Sequence, residues 1–187
     1  MSYTIGFQAK NQKAILATEA ATANQAVAII AALRQSADEI KFIRTPHEGE
    51  MLRLLGTQDR SALEDRARVV SEFASEHALV VVLKGTRTLV AAPDGRVFVN
   101  PTGNAGLGTA GSGDTLTGVI TGFLAQSFGT LKDEADAFAA TVAAVYVAGL
   151  AGDIAARERG MRTLVASDIR NHLSAAVRAL DPEGERP

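Results

Sequence analysis

One carboxylate, Asp114, stands directly after Gly-Ser-Gly in the stretch NPTGNAGLGTAGSGDTLTG, residues 100–118, which runs straight into an amphipathic helix pattern. Glycines at 103, 106, 108, 111, 113 and 118 let the backbone take positive φ and approach a ligand closely, at an entropic cost that needs a local reason. A helix start adds unpaired N–H groups and the positive end of the macrodipole, which suit a phosphate. A carboxylate where those N–H groups converge can act as a general base on a substrate hydroxyl. It can equally be an acidic residue complementing the dipole. The combination suggests phosphoryl chemistry.

Two further places could carry chemistry. Lys84 closes the apolar run 78–83 and leads into Gly85-Thr86-Arg87-Thr88, where it could meet nucleotide phosphates or simply snorkel at a sheet edge. His47, with Glu48, Gly49 and Glu50, follows a strand-like segment, and the ends of strands are where open α/β sheets place ligands. A histidine in a polar turn is also often just solvated. His77 and His172 have no partner spacing, and no HExxH or similar metal box occurs. Gly106-Leu107-Gly108-Thr109-Ala110-Gly111 is a literal GxGxxG, but it follows a hairpin arm and a Pro-Thr-Gly turn. A dinucleotide fingerprint needs a core parallel strand before it, so that reading is rejected. No GxxxxGK[ST] is present.

These residues must be positioned by alternating strands and helices, the pattern of an α/β fold. Strands are expected at 3–7, 14–17, 40–43 and 78–83, the last apolar throughout and so covered on both faces. Runs 88–92 and 96–100 flank Pro93-Asp94-Gly95 and predict a hairpin. Helices are expected at 24–34, 48–55 and 63–75, the third opened by a Ser61…Glu64 capping box. Leu116, Val119, Ile120, Phe123 and Leu124 form a helical stripe, with Gly118 and Gly122 expected to permit close packing. Residues 138–150 predict a buried helix, too short and too alanine-rich to span a bilayer. A last helix, capped by Ser167, is expected to turn Ile169, Leu173, Val177 and Leu180 inward.

Composition bounds the partners. Nineteen basic against twenty-one acidic residues leave a net charge of −2, so there is no electrostatic case for nucleic acid or an anionic membrane. The absence of cysteine excludes disulfides and thiolate metal sites. The first ten residues lack the apolar core of a signal peptide, and a cytoplasmic protein is expected.

Residues 45–56 (TPHEGEMLRLLG), 81–126 (from VVLKGTRT through NPTGN to GSGD and its helix) and 164–169 (LVASDI) resemble the NAD(P)H-hydrate dehydratase family in order. NPTGN followed by GSGD is the specific part. The resemblance implies a three-layer αβα ribokinase-like fold with a β-hairpin before the glycine-rich anion-hole loop. It implies one domain: a divergent segment 1–39, a family core 40–180 and a frayed tail 181–187. Family members carry a longer N-terminal half before the TPHxGE turn, so the fold is expected to be N-terminally abbreviated.

The activity implied is dehydration of (S)-NAD(P)H hydrate driven by ADP or ATP, with Mg²⁺. Asp114 would deprotonate the ring hydroxyl, which attacks the terminal phosphoryl group; the phosphorylated hydrate then loses phosphate. Ala110, Gly111, Ser112 and Gly113 correspond to the anion hole. Lys84, Gly85, Thr86, Arg87 and Thr88, with Asn104, Ala105, Gly106, Leu107, Gly108 and Thr109, correspond to nucleotide-binding positions. His47 and Asp114 correspond to positions facing the hydrate. The rival readings are a small-molecule kinase using the same base, and a non-catalytic nucleotide-binding module. A sheet edge left open by the abbreviation would favour a homo-oligomer.

Overall fold

The computed structural model describes residues 3–9, 16–20, 37–39 and 43–180, the first three segments by their backbone. Strands β1 (Tyr3–Ala9), β2 (Leu16–Ala20) and β3 (Ala37–Glu39) form a small antiparallel sheet in the order β2-β1-β3. The strand expected at 14–17 thus lies two residues later. The helix expected at 24–34, residues 40–42 and the tail 181–187 fall outside the described residues.

The main sheet has the order β4-β5-β6-β7, from β4 (Ile43–Arg44), β5 (Val80–Leu83), β6 (Leu89–Ala91) and β7 (Val97–Val99). β4 runs parallel to β5, and β6 and β7 form the expected antiparallel hairpin. All four residues of β5 are buried, and the period of two sends them to opposite cores. Val81 and Leu83, with Leu89 and Ala91 of β6, pack on α1 (Glu48–Leu54) and α2 (Arg66–His77). Val80, Val82 and Val90 pack on α3 (Ser112–Leu131) and α4 (Ala137–Arg159). Val147 and Ala151 of α4 then meet Ile169 and Ala176 of α5 (Ala166–Leu180). The result is three layers, helix, sheet, helix. α4 is long and apolar enough to cross a membrane, but most of its apolar window is buried between its neighbours, as suits a core helix.

Several local expectations need correction. The Ser61…Glu64 box does not form; Asp59 caps a 3₁₀ turn (Arg60–Leu63) and Asp65 separately caps α2. That break resets the helical phase, so Val69 is buried where Ala67 was expected. α5 starts one residue before Ser167, and its first turn is closed by Asp168, whose carboxylate accepts the Val165 N–H at 3.1 Å. Val177 and Leu180 face solvent; the small Ala176 takes the inward position.

Candidate functional site

The loop before α3 is held by α4 rather than by its own helix. Asn100, almost fully buried, donates from Nδ2 to the Thr102 carbonyl at 3.0 Å, and the Thr102 hydroxyl donates to the Tyr146 carbonyl at 2.8 Å. Both oxygens of Asp153 are engaged. One accepts the Gly103 N–H at 2.8 Å and the other accepts the Asn104 carboxamide at 2.9 Å. The Asn104 oxygen takes the Gly106 N–H at 3.0 Å, capping a 3₁₀ turn over Ala105–Gly108. Close approach depends on two glycines of α4. A Cβ at Gly149 would lie 2.2 Å from the Thr102 hydroxyl oxygen, and one at Gly152 would lie 2.4 Å from a Leu107 methyl. Gly118 and Gly122 of α3, expected to serve close packing, have no atom within 4 Å of such a Cβ. The loop, not α3, needed the glycines.

The loop delivers the start of α3 uncovered. Its N-cap is Gly111, at φ +81°, with no side chain to accept a hydrogen bond. The Ser112 hydroxyl turns back to the Thr109 carbonyl at 2.8 Å. Orphan N–H groups at a helix start need an acceptor; here no side chain supplies one, and only the Ser112 N–H is met within the loop, by the Thr109 carbonyl at 3.3 Å. Asp114, in the first turn, is exposed and makes no hydrogen bond or ion pair among the described residues. Its carboxylate is available.

Two turns border this helix start. The Lys84 N–H donates to the Pro46 carbonyl at 2.7 Å, and His47 and Lys84 form an isolated parallel bridge. Lys84 Nζ lies 3.2 Å from where a Cβ on Gly113 would stand, so the ammonium overhangs the uncapped helix end. His47 is the N-cap of α1: its Nδ1 accepts the Glu50 N–H at 3.2 Å, while the Glu50 carboxylate accepts the His47 N–H at 2.8 Å. With Nδ1 accepting, a neutral ring carries its proton on Nε2. His47, Lys84 and Gly113 of the expected residues are therefore brought together, with Asp114 following Gly113 in the first turn of α3.

The turn after Lys84 is braced from α2. Arg66 donates to the Thr86 carbonyl at 2.8 Å and reaches Glu48 at 3.4 Å. The Thr88 hydroxyl donates to the Gly85 carbonyl at 3.2 Å, and Arg87 sits in the left-handed region at φ +53°. Thr86 and Arg87 are exposed. Arg66 and Asp153 escaped sequence reasoning. A signal for the latter existed in Gly149-Leu150-Ala151-Gly152-Asp153, two glycines three apart and an acid inside an apolar helix. Among the described residues no group of three or more His, Cys, Asp or Glu could hold a metal.

The description NAD(P)H-hydrate dehydratase belongs to the family model that matches residues 11–174. The chain belongs to that family. It is 45% identical over 148 residues to the bifunctional NAD(P)H-hydrate repair enzyme Nnr of Moorella thermoacetica, covering 79% of this chain and 27% of that protein. It is 37% identical to the ADP-dependent (S)-NAD(P)H-hydrate dehydratase of Bacillus subtilis, covering 70% of this chain and 45% of that one. Among solved structures, the Bacillus subtilis ADP/ATP-dependent NAD(P)H-hydrate dehydratase co-crystallized with ATP/Mg²⁺ is similar at 35% identity and a TM-score of 0.67. That match covers 74% of this chain and 48% of the other. A ribokinase-like superfamily protein from Enterococcus faecalis matches with a TM-score of 0.57 at 29% identity, covering 73% and 44%. The fold is thus ribokinase-like, and this dehydratase-family chain spans less than half the length of each of these relatives.

Proposed function

We propose that this chain binds an adenine nucleotide with its terminal phosphate at the start of α3 and uses it to dehydrate (S)-NAD(P)H hydrate. The observation that carries the reading is the uncapped α3 start, flanked by a free Asp114 carboxylate and the Lys84 ammonium. Backbone N–H groups of Gly111, Ser112 and Gly113 would stabilise the transferring phosphoryl group by position and charge, the terms that dominate phosphoryl transfer. Asp114 would take the proton from the ring hydroxyl, whose oxygen attacks the terminal phosphorus; ADP would leave as AMP. Loss of phosphate from the phosphorylated hydrate then restores the dihydronicotinamide. The neighbouring loop residues Ala105, Leu107, Gly108, Thr109 and Ala110 and the turn Gly85 to Thr88 would form the nucleotide's walls. His47 would face the hydrate. Mg²⁺ would arrive with the phosphates and neutralise part of their charge. The side chain of Asn104 is engaged in holding the loop, so its contribution would be the loop's shape.

The test is absorbance at 340 nm with purified chain, NADPH hydrate, Mg²⁺ and ADP or ATP, beside Asp114→Ala. A nucleotide-dependent rise that the variant lacks supports the dehydratase. A phosphorylated product without that rise identifies a kinase. A flat trace with ADP still raising the melting temperature identifies a nucleotide-binding module, a reading favoured by the share of the relatives' length this chain spans. A cytoplasmic homo-oligomer is part of the proposal. It is supported by the edge strand β7, where Val97 and Val99 are exposed. A monomer mass by light scattering would sink it.

A further inference from the structure

Glu50 touches both turns of the site. Its Oε2 accepts the His47 N–H at 2.8 Å and lies 3.8 Å from Lys84 Nζ, while Oε1 faces His47 Nε2 at 3.5 Å. Both Glu50 and Lys84 are partly buried side chains, 19% and 27% exposed, so the pair is screened less than at a free surface while salt still reaches it. The backbone brings the two elements together independently, through the Lys84 N–H on the Pro46 carbonyl and the bridge between His47 and Lys84. The lysine thereby overhangs Gly113.

We infer that Glu50 is a positioning residue that holds the Lys84 ammonium over the α3 start. The inference rests on the reading that Lys84 meets the nucleotide's phosphate. At 3.8 Å the pair is an ion pair without a hydrogen bond, so Lys84 can lean from Glu50 toward an incoming phosphate without breaking a directional contact. The same carboxylate oxygen that faces the lysine also closes the cap of α1. His47 and Lys84 therefore keep their spacing through one side chain. A lysine is a flexible point charge with four rotatable carbons, and a phosphate site gains from having it already in place.

Glu50→Gln tests this, because the amide oxygen can still accept the His47 N–H while the charge is lost. The rate of Lys84 modification by acetic anhydride is followed by mass spectrometry on the full chain, normalised to the exposed Lys132. The expected result is a several-fold rise at Lys84 in Glu50→Gln. In the wild-type chain, added salt gives a rise in the same direction, which keeps the test open if the variant does not fold. With NADPH hydrate and ADP, kcat should fall roughly ten- to a hundredfold, with KM for ADP nearly unchanged. Adding Glu50→Gln to Lys84→Met should cost nothing more, whereas a merely structural Glu50 would lower both backgrounds alike. A Lys84 labelling rate unmoved by Glu50→Gln and by salt overturns the Glu50 assignment alone. ADP failing to protect Lys84 in the wild-type chain sinks the nucleotide reading, and the role given to Glu50 with it.

Discussion

α4 begins at Asp136, whose carboxylate accepts the N–H of Phe138 at 2.8 Å and is itself paired with Arg96, which also lies over the Phe138 ring. α3 begins at Gly111, which has no side chain, and its acid, Asp114, is exposed and caps none of the helix amides. Both helices carry an unsatisfied positive end. One is closed by a side chain and the other is not. α1, α2 and both capped 3₁₀ turns follow α4, with His47, Asp65, Asp59 and Asn104 as caps. Among the α-helices with a described N-cap, α3 is thus the one whose start no side chain closes.

The sharpest way to break the comparison is to exchange the fates of the two acids. Asp114→Asn should lower turnover by about 10²–10⁴-fold, the usual worth of a positioned general base, with little change in melting temperature. Asp136→Ala should do the reverse, leaving turnover intact. If Asp114→Asn keeps full activity, the open helix start is not a catalytic site.

Next comes the seat of the loop. Gly149→Val should destabilise the chain by about 1–3 kcal/mol, the range for overpacking, and weaken ADP binding through displacement of Thr102. Gly118→Ala, in open space on α3, should stabilise by roughly 0.5–1 kcal/mol. Denaturant melts with and without ADP check both, and equal effects at the two sites would refute the assignment of close packing to α4.

Asp136→Ala itself should cost about 1 kcal/mol, as for other caps. The Arg96 pair, aided by the helix amides, holds the Asp136 carboxyl below its ordinary value. Its stabilisation is therefore present above the unfolded pKa of about 3.9 and is lost as pH falls through the lower folded value. The gap in melting temperature between wild type and variant should close only in acid.

The smallest effect concerns α5, closed from within its first turn by Asp168. His172 places Nδ1 against the Asp168 carbonyl at 2.6 Å and Nε2 against the Glu158 carboxylate at 2.8 Å. Both partners accept, so the imidazolium is favoured and its pKa is raised, first by the Asp168 carbonyl and then by Glu158. This contribution is complete below the unfolded value of about 6.5 and fades as pH rises through the folded one. His172→Gln should therefore cost more melting temperature at pH 6 than at pH 9.

The hairpin, the buried β5 and the glycine loop were legible because each is a local matter. Pro93-Asp94-Gly95 makes a turn from its own dihedral preferences, and VVVL is apolar on both faces. What stayed hidden depends on a distant partner. Nothing near Gly149 in sequence announces Thr102, and although an acid beside two glycines marks Asp153 as unusual, its partners Gly103 and Asn104 lie some fifty residues away. The capping box at Ser61 was misread because Asp59 and Asp65 offer shorter-range competitors on either side. Val177 has a core-like spacing, but the neighbouring alanine lets α5 lie closer to α4. Around the candidate site, Asp114, Lys84 and His47 could be singled out by type and position, whereas Arg66, which joins two turns, could not.

The notch that Gly149 and Gly152 cut into α4 also has a dynamic consequence. A helix interrupted by two glycines opens more readily there, and the loop lying in the notch is what holds that turn shut. Amide hydrogens in the middle of α4 should then exchange faster once the loop is loosened. A nucleotide bound at the far side of the loop should slow them, although it touches none of them. The central helix would report occupancy of the site through its own breathing.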